Sequence, residues 1–322
     1  MISHRLGLVV LVLACAACAG REAPAAQPDP VTTDVGGESA PAINRGPALS
    51  PLADSIAQSL VFLPRDQKWF TAAARGKRML VDLGRVDVEV RKDSARAAAY
   101  REAVAGRSPV PIGARLRLFG PWGADDVEVI GYDTWNGRIV ATLRAPPMVD
   151  SLASHVEPLP ASAEIVTAEA PGATPACVRD SIPAGHMDRV MFVRDSLDQQ
   201  LRAQTVMPYE RLIPTIAVKT TVAPGCFGGG GTIVLASLRA GGHEVVREKI
   251  VLVADSGAVK PLRVGGSRWR AHELIYAFDA DGDGTDDIAV KGSSDQAGGT
   301  IIFKLIDGRL EKLTGGFNWE TR

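Results

Sequence analysis

The sequence predicts an α+β chain, mainly antiparallel β, in two small domains, the C-terminal one a β-meander, a sandwich or a blade-like sheet. Three observations carry this. Apolar residues alternate with a period of two over many short runs separated by Gly, Asn and Asp. Two of the separators, Asn136-Gly137 and Asp307-Gly308, are two-residue hairpin turns between such runs. Capped helical patterns are few, and no clean repeat of fixed length exists, so a full propeller is not expected.

The chain opens with Arg5, then an apolar stretch from Leu6 to Ala14. A membrane-spanning helix takes about 20 residues, so this run has the size of a signal-peptide core. It ends in Leu13-Ala14-Cys15-Ala16-Ala17-Cys18-Ala19-Gly20. That segment resembles the lipobox of bacterial lipoproteins, in which small residues precede a Cys that is diacylated and becomes the new N-terminus. The resemblance implies a signal peptide over 1–18, acylation at Cys18 and an anchor in a lipid bilayer of the cell envelope. Cys15 is the alternative, but it would leave a short apolar core and a spare thiol at Cys18. An ordinary secreted leader cut after an Ala is the third reading.

Residues 19–48 are rich in Ala, Pro, Gly, Asp, Glu and Ser, with no apolar period. Such a segment buries too little to offset its ordering entropy, so a tether is expected.

The body begins at Ser50-Pro51, a helix cap followed by a residue suited to the first turn. Residues 49–157 read as an N-terminal α+β domain. A helix is expected at its start, with Leu52, Ile56 and Leu60 on one face. Met79 to Leu83 and Val86 to Val90 read as strands separated at Gly84-Arg85. A second helix runs from Ser94, a possible cap, to a stop at Gly106. Strands follow at Arg115–Phe119, Val127–Ile130 and Ile139–Leu143. Pro158, Pro160, Pro171 and Pro175 mark a linker over 158–175. Residues 176–322 read as a β-rich domain, opened by a segment, Met187 to Leu201, that suits a helix or, over its first residues, a strand.

The formal net charge is −1, which gives no global field to attract nucleic acid. Of four cysteines, Cys177 and Cys226 lie in the body. In an oxidising compartment they can pair. Two separate buried thiols are the alternative.

One segment carries chemistry: Asp279-Ala280-Asp281-Gly282-Asp283-Gly284-Thr285-Asp286-Asp287. Alternate carboxylates with a Gly at position 6 suit a hard cation that takes six to eight oxygens in a tightly folded loop. Position 12 is Val290 and both flanks read as strands, unlike the helical EF-hand. The segment resembles the FG-GAP and VCBS class of calcium loops, which join two strands of a blade-like sheet. The resemblance implies Ca2+ held by Asp279, Asp281, Asp283, the carbonyl of Thr285, and Asp287, with Asp286 turned to solvent.

Other candidates carry less. The histidines at 155, 186, 243 and 272 have no nucleophile placed near them, and neither H-E-x-x-H nor G-x-S-x-G occurs. Gly228–Gly231 lacks the Lys-Ser/Thr of a phosphate loop. Trp122, Trp135, Trp269 and Trp319 suit a glycan or peptide groove, but core packing is the commoner use. The expected role is a non-catalytic binding or structural one towards an unidentified protein or glycan, with a calcium-stabilised hydrolase outside the cytoplasm as the alternative.

Overall fold

Six antiparallel strands close on themselves in the first half of the body. The computed structural model describes residues 48–75, 77–86, 93–149, 159–166, 179, 181–203, 216–240, 244–265, 271–294 and 297–320. Helix α1 (Pro51–Ala57) is capped by Ser50, whose side chain accepts from the Ala53 amide. Ser50 also donates its own amide and hydroxyl to Glu102 of α2 (Ser94–Arg107), which fastens the two helices together. The cap of α2 is Asp93, not Ser94: the Asp93 carboxylate accepts from the Ala95 amide at 2.9 Å. Both residues are good caps, and the extended backbone at Asp93 decides between them.

The strands are β1 (Leu60–Phe62), β2 (Trp69–Arg75), β3 (Arg78–Val86), β4 (Arg115–Gly120), β5 (Gly123–Trp135), β6 (Arg138–Leu143) and β7 (Leu159–Ile165). Their order is β1-β3-β2-β7-β4-β5-β6, and β6 pairs back onto β3, so β2 to β7 form a six-stranded barrel. Closure removes the exposed edges that an open sheet would present. Phe70, Met79, Val81, Leu116, Leu118 and Ile139 are buried in its core, and Ile56, Tyr100 and Val104 of the two helices join the same cluster.

Two sequence expectations meet the structure differently here. Gly84 does not separate a pair of strands; β3 runs through it with a register shift between Asp82 and Gly84. A Cβ at Gly84 would lie 2.1 Å from the carbonyl oxygen of Val61, at a φ of +148°, so only glycine lets β1 approach. Residues 87–90 lie outside the described residues. The Pro-marked stretch 158–175 contains β7, a barrel strand. Its inward residues Ala161 and Ala163 are small, so they give little apolar signal. Pro160 lies beyond the reach of β4, whose pairing with β7 ends at Ser162.

The second half is layered. Helix α3 (Ala184–Ala203) settles the ambiguous segment in favour of a helix, with Val190, Val193, Leu197 and Leu201 buried on one face. It covers a four-stranded sheet of β8 (Ile216–Gly225), β9 (Gly231–Ala240), β10 (Glu244–Ala254) and β11 (Val259–Pro261). Behind that lies a curled five-stranded sheet of β12 (Arg263–Val264), β13 (Ala271–Phe278), β14 (Asp287–Ser293), β15 (Ala297–Ile306) and β16 (Arg309–Glu320).

Both sheets are covered on both faces, and the sequence shows why. Ile233 and Leu235 point into the space between the sheets, while Val234 and Ala236 meet α3. Ile250 and Leu252 alternate in the same way with Val251 and Val253. In the five-stranded sheet, Ile288, Val290, Ile301 and Phe303 face the four-stranded one, and Ala289 and Ile302 face the other side with Phe119 of the barrel. A strand buried on both faces reads as a continuous apolar run, as these do.

Residues Gly46–Arg322 form one compact unit. Strand β16 lies on the barrel, where a Cβ at Gly316 would come within 2.7 Å of the Asp82 carboxylate and 3.0 Å of Thr71. The Thr71 and Thr314 hydroxyls are 3.1 Å apart, and Thr314 donates to the Trp69 carbonyl. Buried Asp82 accepts from the Arg138 guanidinium through Nε and Nη2 and from the amides of Gly84 and Phe317. The two hairpin turns read from the sequence are present: Asn136-Gly137 and Asp307-Gly308 all have positive φ.

Candidate metal centre

Strand β13 ends at Phe278 and β14 starts at Asp287, so the Asp-rich segment is a strand-to-strand loop. It is seated against the barrel. Ser162 of β7 donates to the Ala280 carbonyl, and Gly282, at φ +74°, sits where a Cβ would be 2.9 Å from the Phe119 ring. A glycine at this point of the loop is therefore required twice, for the turn and for the contact.

The Asp279 carboxylate organises the loop by accepting from the amides of Gly282, Asp283 and Gly284 at 2.7, 3.1 and 2.9 Å. Asp279, Asp281 and Asp283 each present an oxygen within 4.8 Å of the others, and together they could hold a metal ion. Theirs is the one such group among the described residues. Thr285 is half-buried and donates its amide to Asp283 at 2.8 Å. Asp287 is buried at the base, where it accepts from the Ala280 amide at 3.2 Å.

Two features depart from the sequence reading. Asp286 is not turned to solvent. It is 3% exposed and accepts from the Cys226 amide at 2.6 Å, because the β8–β9 loop lies against it. Lys304 of β15 also enters the site. Its ammonium reaches both Asp281 and Asp283, the latter at 2.6 Å. Nothing near Lys304 in the sequence signals this: the β14–β15 register, which sets Ile288 opposite Phe303, brings it there.

The electrostatics are those of too much negative charge in too little water. Burial pushes the Asp287 carboxyl up to about 8, the charge of Asp281 adds to this, and the Ala280 amide only partly opposes it. Asp279 and Asp286 are raised in the same sense, burial again being the largest cause. For Asp283, burial is outweighed by Lys304 and the Thr285 amide, and its carboxyl is lowered. Desolvation of Lys304 is likewise outweighed by Asp281 and Asp283, which hold its ammonium charged. The Lys304 ammonium contacts two of the five carboxylates, and Arg179 acts on Asp286 only through its charge. One oxygen each of Asp281 and Asp286 remains buried without a hydrogen-bond partner. A buried acceptor left unpaired is costly, and an oxygen-seeking cation would satisfy it.

The remaining predicted sites divide into placed and unplaced. Cys226 lies in the β8–β9 loop; Cys15, Cys18 and Cys177 are outside the described residues. Buried His272 bonds Glu248 at 2.9 Å, and Trp135 packs edge-on against Phe317 at 5.6 Å, so both are occupied in packing. No helix of the described residues is long and apolar enough to cross a membrane. No protein-family model matches this chain, and neither a curated protein nor a solved structure is significantly similar to it.

Proposed function

We propose that this chain is an exported, lipid-anchored envelope protein with a non-catalytic binding or structural role, whose C-terminal sheet is stiffened by calcium. The observation that carries the calcium is the shielded, unpartnered oxygen of Asp281 within the Asp279, Asp281 and Asp283 group. The ligands would be Asp279, Asp281, Asp283, the Thr285 carbonyl and Asp287. Lys304 would swing away from Asp281 and Asp283 as the ion enters. The leader and its two candidate acylation sites, Cys18 and then Cys15, support the anchor. A bridge between Cys177 and Cys226 completes the reading. Its support is Arg179, which pairs with Asp255 at 2.6 Å beside Gly230 and so brings the chain near Cys177 to the β8–β9 loop.

Calcium at a few millimolar should raise stability by about 1–2 kcal/mol, given the weak affinities, on the order of 10⁻⁴ to 10⁻³ M, of extracellular calcium modules. Asp283→Ala should remove most of this rise. The rise should also grow with pH. Asp287 titrates near 3.8 when unfolded and about 8 when folded without metal, so the folded state holds the extra proton between these values. The metal-free protein therefore loses stability from Asp287 as pH climbs through that window, and calcium, which needs the ionised carboxylate, opposes the loss. Melting curves at pH 5.5 and 8.5, with calcium and with chelator, measure this. A calcium rise that is the same at both values, or that magnesium reproduces in full, would remove the ligand assignment.

The anchor has its own test. Metabolic labelling with a fatty-acid analogue should mark the protein, and Cys18→Ser should abolish the label. Persistence of the label in Cys18→Ser and its loss in Cys15→Ser would move the acylation site. An unlabelled wild-type chain would end the lipoprotein reading.

A further inference from the structure

A second concave site lies on the barrel, far along the chain from the Asp loop. Helix α2, the β2–β3 turn and the β5–β6 strands border an open cleft of about 840 Å³, within the usual range for small-molecule sites. Four cations line it: Lys77, Arg78, Arg101 and Arg144. The one acid among the lining residues, Asp133, is taken by Arg78 at 3.3 Å. Lys77, Arg101 and Arg144 make no side-chain hydrogen bond or ion pair with any described residue. A general excess of base does not explain this, because the chain has 36 basic and 37 acidic residues. Elsewhere its arginines are commonly paired, as Arg115 and Arg117 are with Asp126 and Arg138 with Asp82.

The same cleft exposes aliphatic surface. Ile112 and Ile130 are 57% and 51% exposed. Ile130 is exposed because β5 slips register against β6 between Val129 and Gly131, a bulge that re-aims one side chain. Beside it, a Cβ at Gly131 would meet nothing within 4 Å, so the backbone there borders open space. Unpaired cations beside exposed apolar side chains suit a ligand with both properties.

We infer that this cleft binds a small organic anion, a phosphate monoester or a free carboxylate carrying an apolar group, with Arg101, Arg144 and Lys77 meeting the charge and Ile112 and Ile130 the apolar part. The inference rests on the binding role proposed above, but not on the calcium loop or the anchor, whose tests are separate. The probe is 1-naphthyl phosphate, followed by ligand-observed NMR on the full chain at physiological salt, where loose surface attraction is screened. Saturable binding is expected, about tenfold or more weaker for 1-naphthol and for inorganic phosphate, each of which lacks one half of the recognition. Arg101→Gln with Arg144→Gln should weaken it at least about tenfold. Gly131→Leu, which fills the open space without a backbone clash, should block it with all cations in place. Soluble dihexanoyl phosphatidic acid then separates two sources of the same chemistry: its displacement of the probe points to a lipid headgroup, and its failure to do so to a soluble ester. Absence of saturable naphthyl phosphate binding to the wild-type chain overturns the inference. So does equal binding by wild type and the double arginine variant, provided that variant melts at the wild-type temperature.

Discussion

Replacing Asp82 by Ala should cost about 3–5 kcal/mol, among the largest losses of any single polar substitution in this chain. Asp82 is fully buried and sits where three elements meet. Its carboxylate takes both arms of Arg138 on β6, the Gly84 amide at the β3 bulge, and the Phe317 amide on β16. Removing it leaves a guanidinium only 12% exposed with its main partner gone, and two amides unsatisfied. Phe317 has a positive φ of 51°, unusual for an aromatic residue, and the Asp82 bond helps to hold it there. The loss should therefore fall on the seam between barrel and C-terminal sheet as well as on the barrel. Urea unfolding should show a lower midpoint, and Arg138→Ala combined with Asp82→Ala should cost less than the sum of the two single changes. A loss below about 1 kcal/mol for Asp82→Ala would mean that the buried pair holds nothing that water cannot replace.

Reduction of the proposed Cys177–Cys226 bridge should lower stability by about 4 kcal/mol, the chain-entropy value for a loop of about 50 residues. The segment between these cysteines contains α3 and β8, so the proposed cross-link would tie the helix layer to the sheet it covers. Its effect should extend to the Asp loop, because Asp286 accepts from the Cys226 amide. Cys226→Ser and Cys177→Ser, each of which removes the proposed bridge, should thus both reduce the calcium response as well as the melting temperature. Alkylation of denatured, unreduced protein provides the check: both thiols should resist it until reductant is added. Full labelling without reductant would remove the bridge.

The features of the fold that were legible in the sequence are those governed by near neighbours. Ser50-Pro51 marks the start of α1 because capping involves residues three apart. Asn136-Gly137 and Asp307-Gly308 mark hairpins because both positions need positive φ. The Asp loop shows itself by the spacing of Asp279, Asp281 and Asp283, and its strand flanks by their period of two. Those signals specify strands, turns and a cluster of carboxylates, and they suffice for a mainly antiparallel α+β chain.

Tertiary structure alone decided the rest, since each remaining feature depends on residues distant in sequence. The barrel closes because β6 returns to β3 and because β7, with Ala161 and Ala163 facing inward, fits between β2 and β4; small inward residues suit that closure but carry almost no local signal. Asp286 is buried because Cys226, 60 residues away, donates to it. Lys304 enters the Asp cluster because β15 pairs in one register with β14, and a shift of one residue would turn it to the other face. The basic cleft joins a turn, a helix and two strands that no single stretch of sequence contains. Local preference is set by backbone sterics within a few residues, whereas a site is set by which faces the long-range pairing brings together.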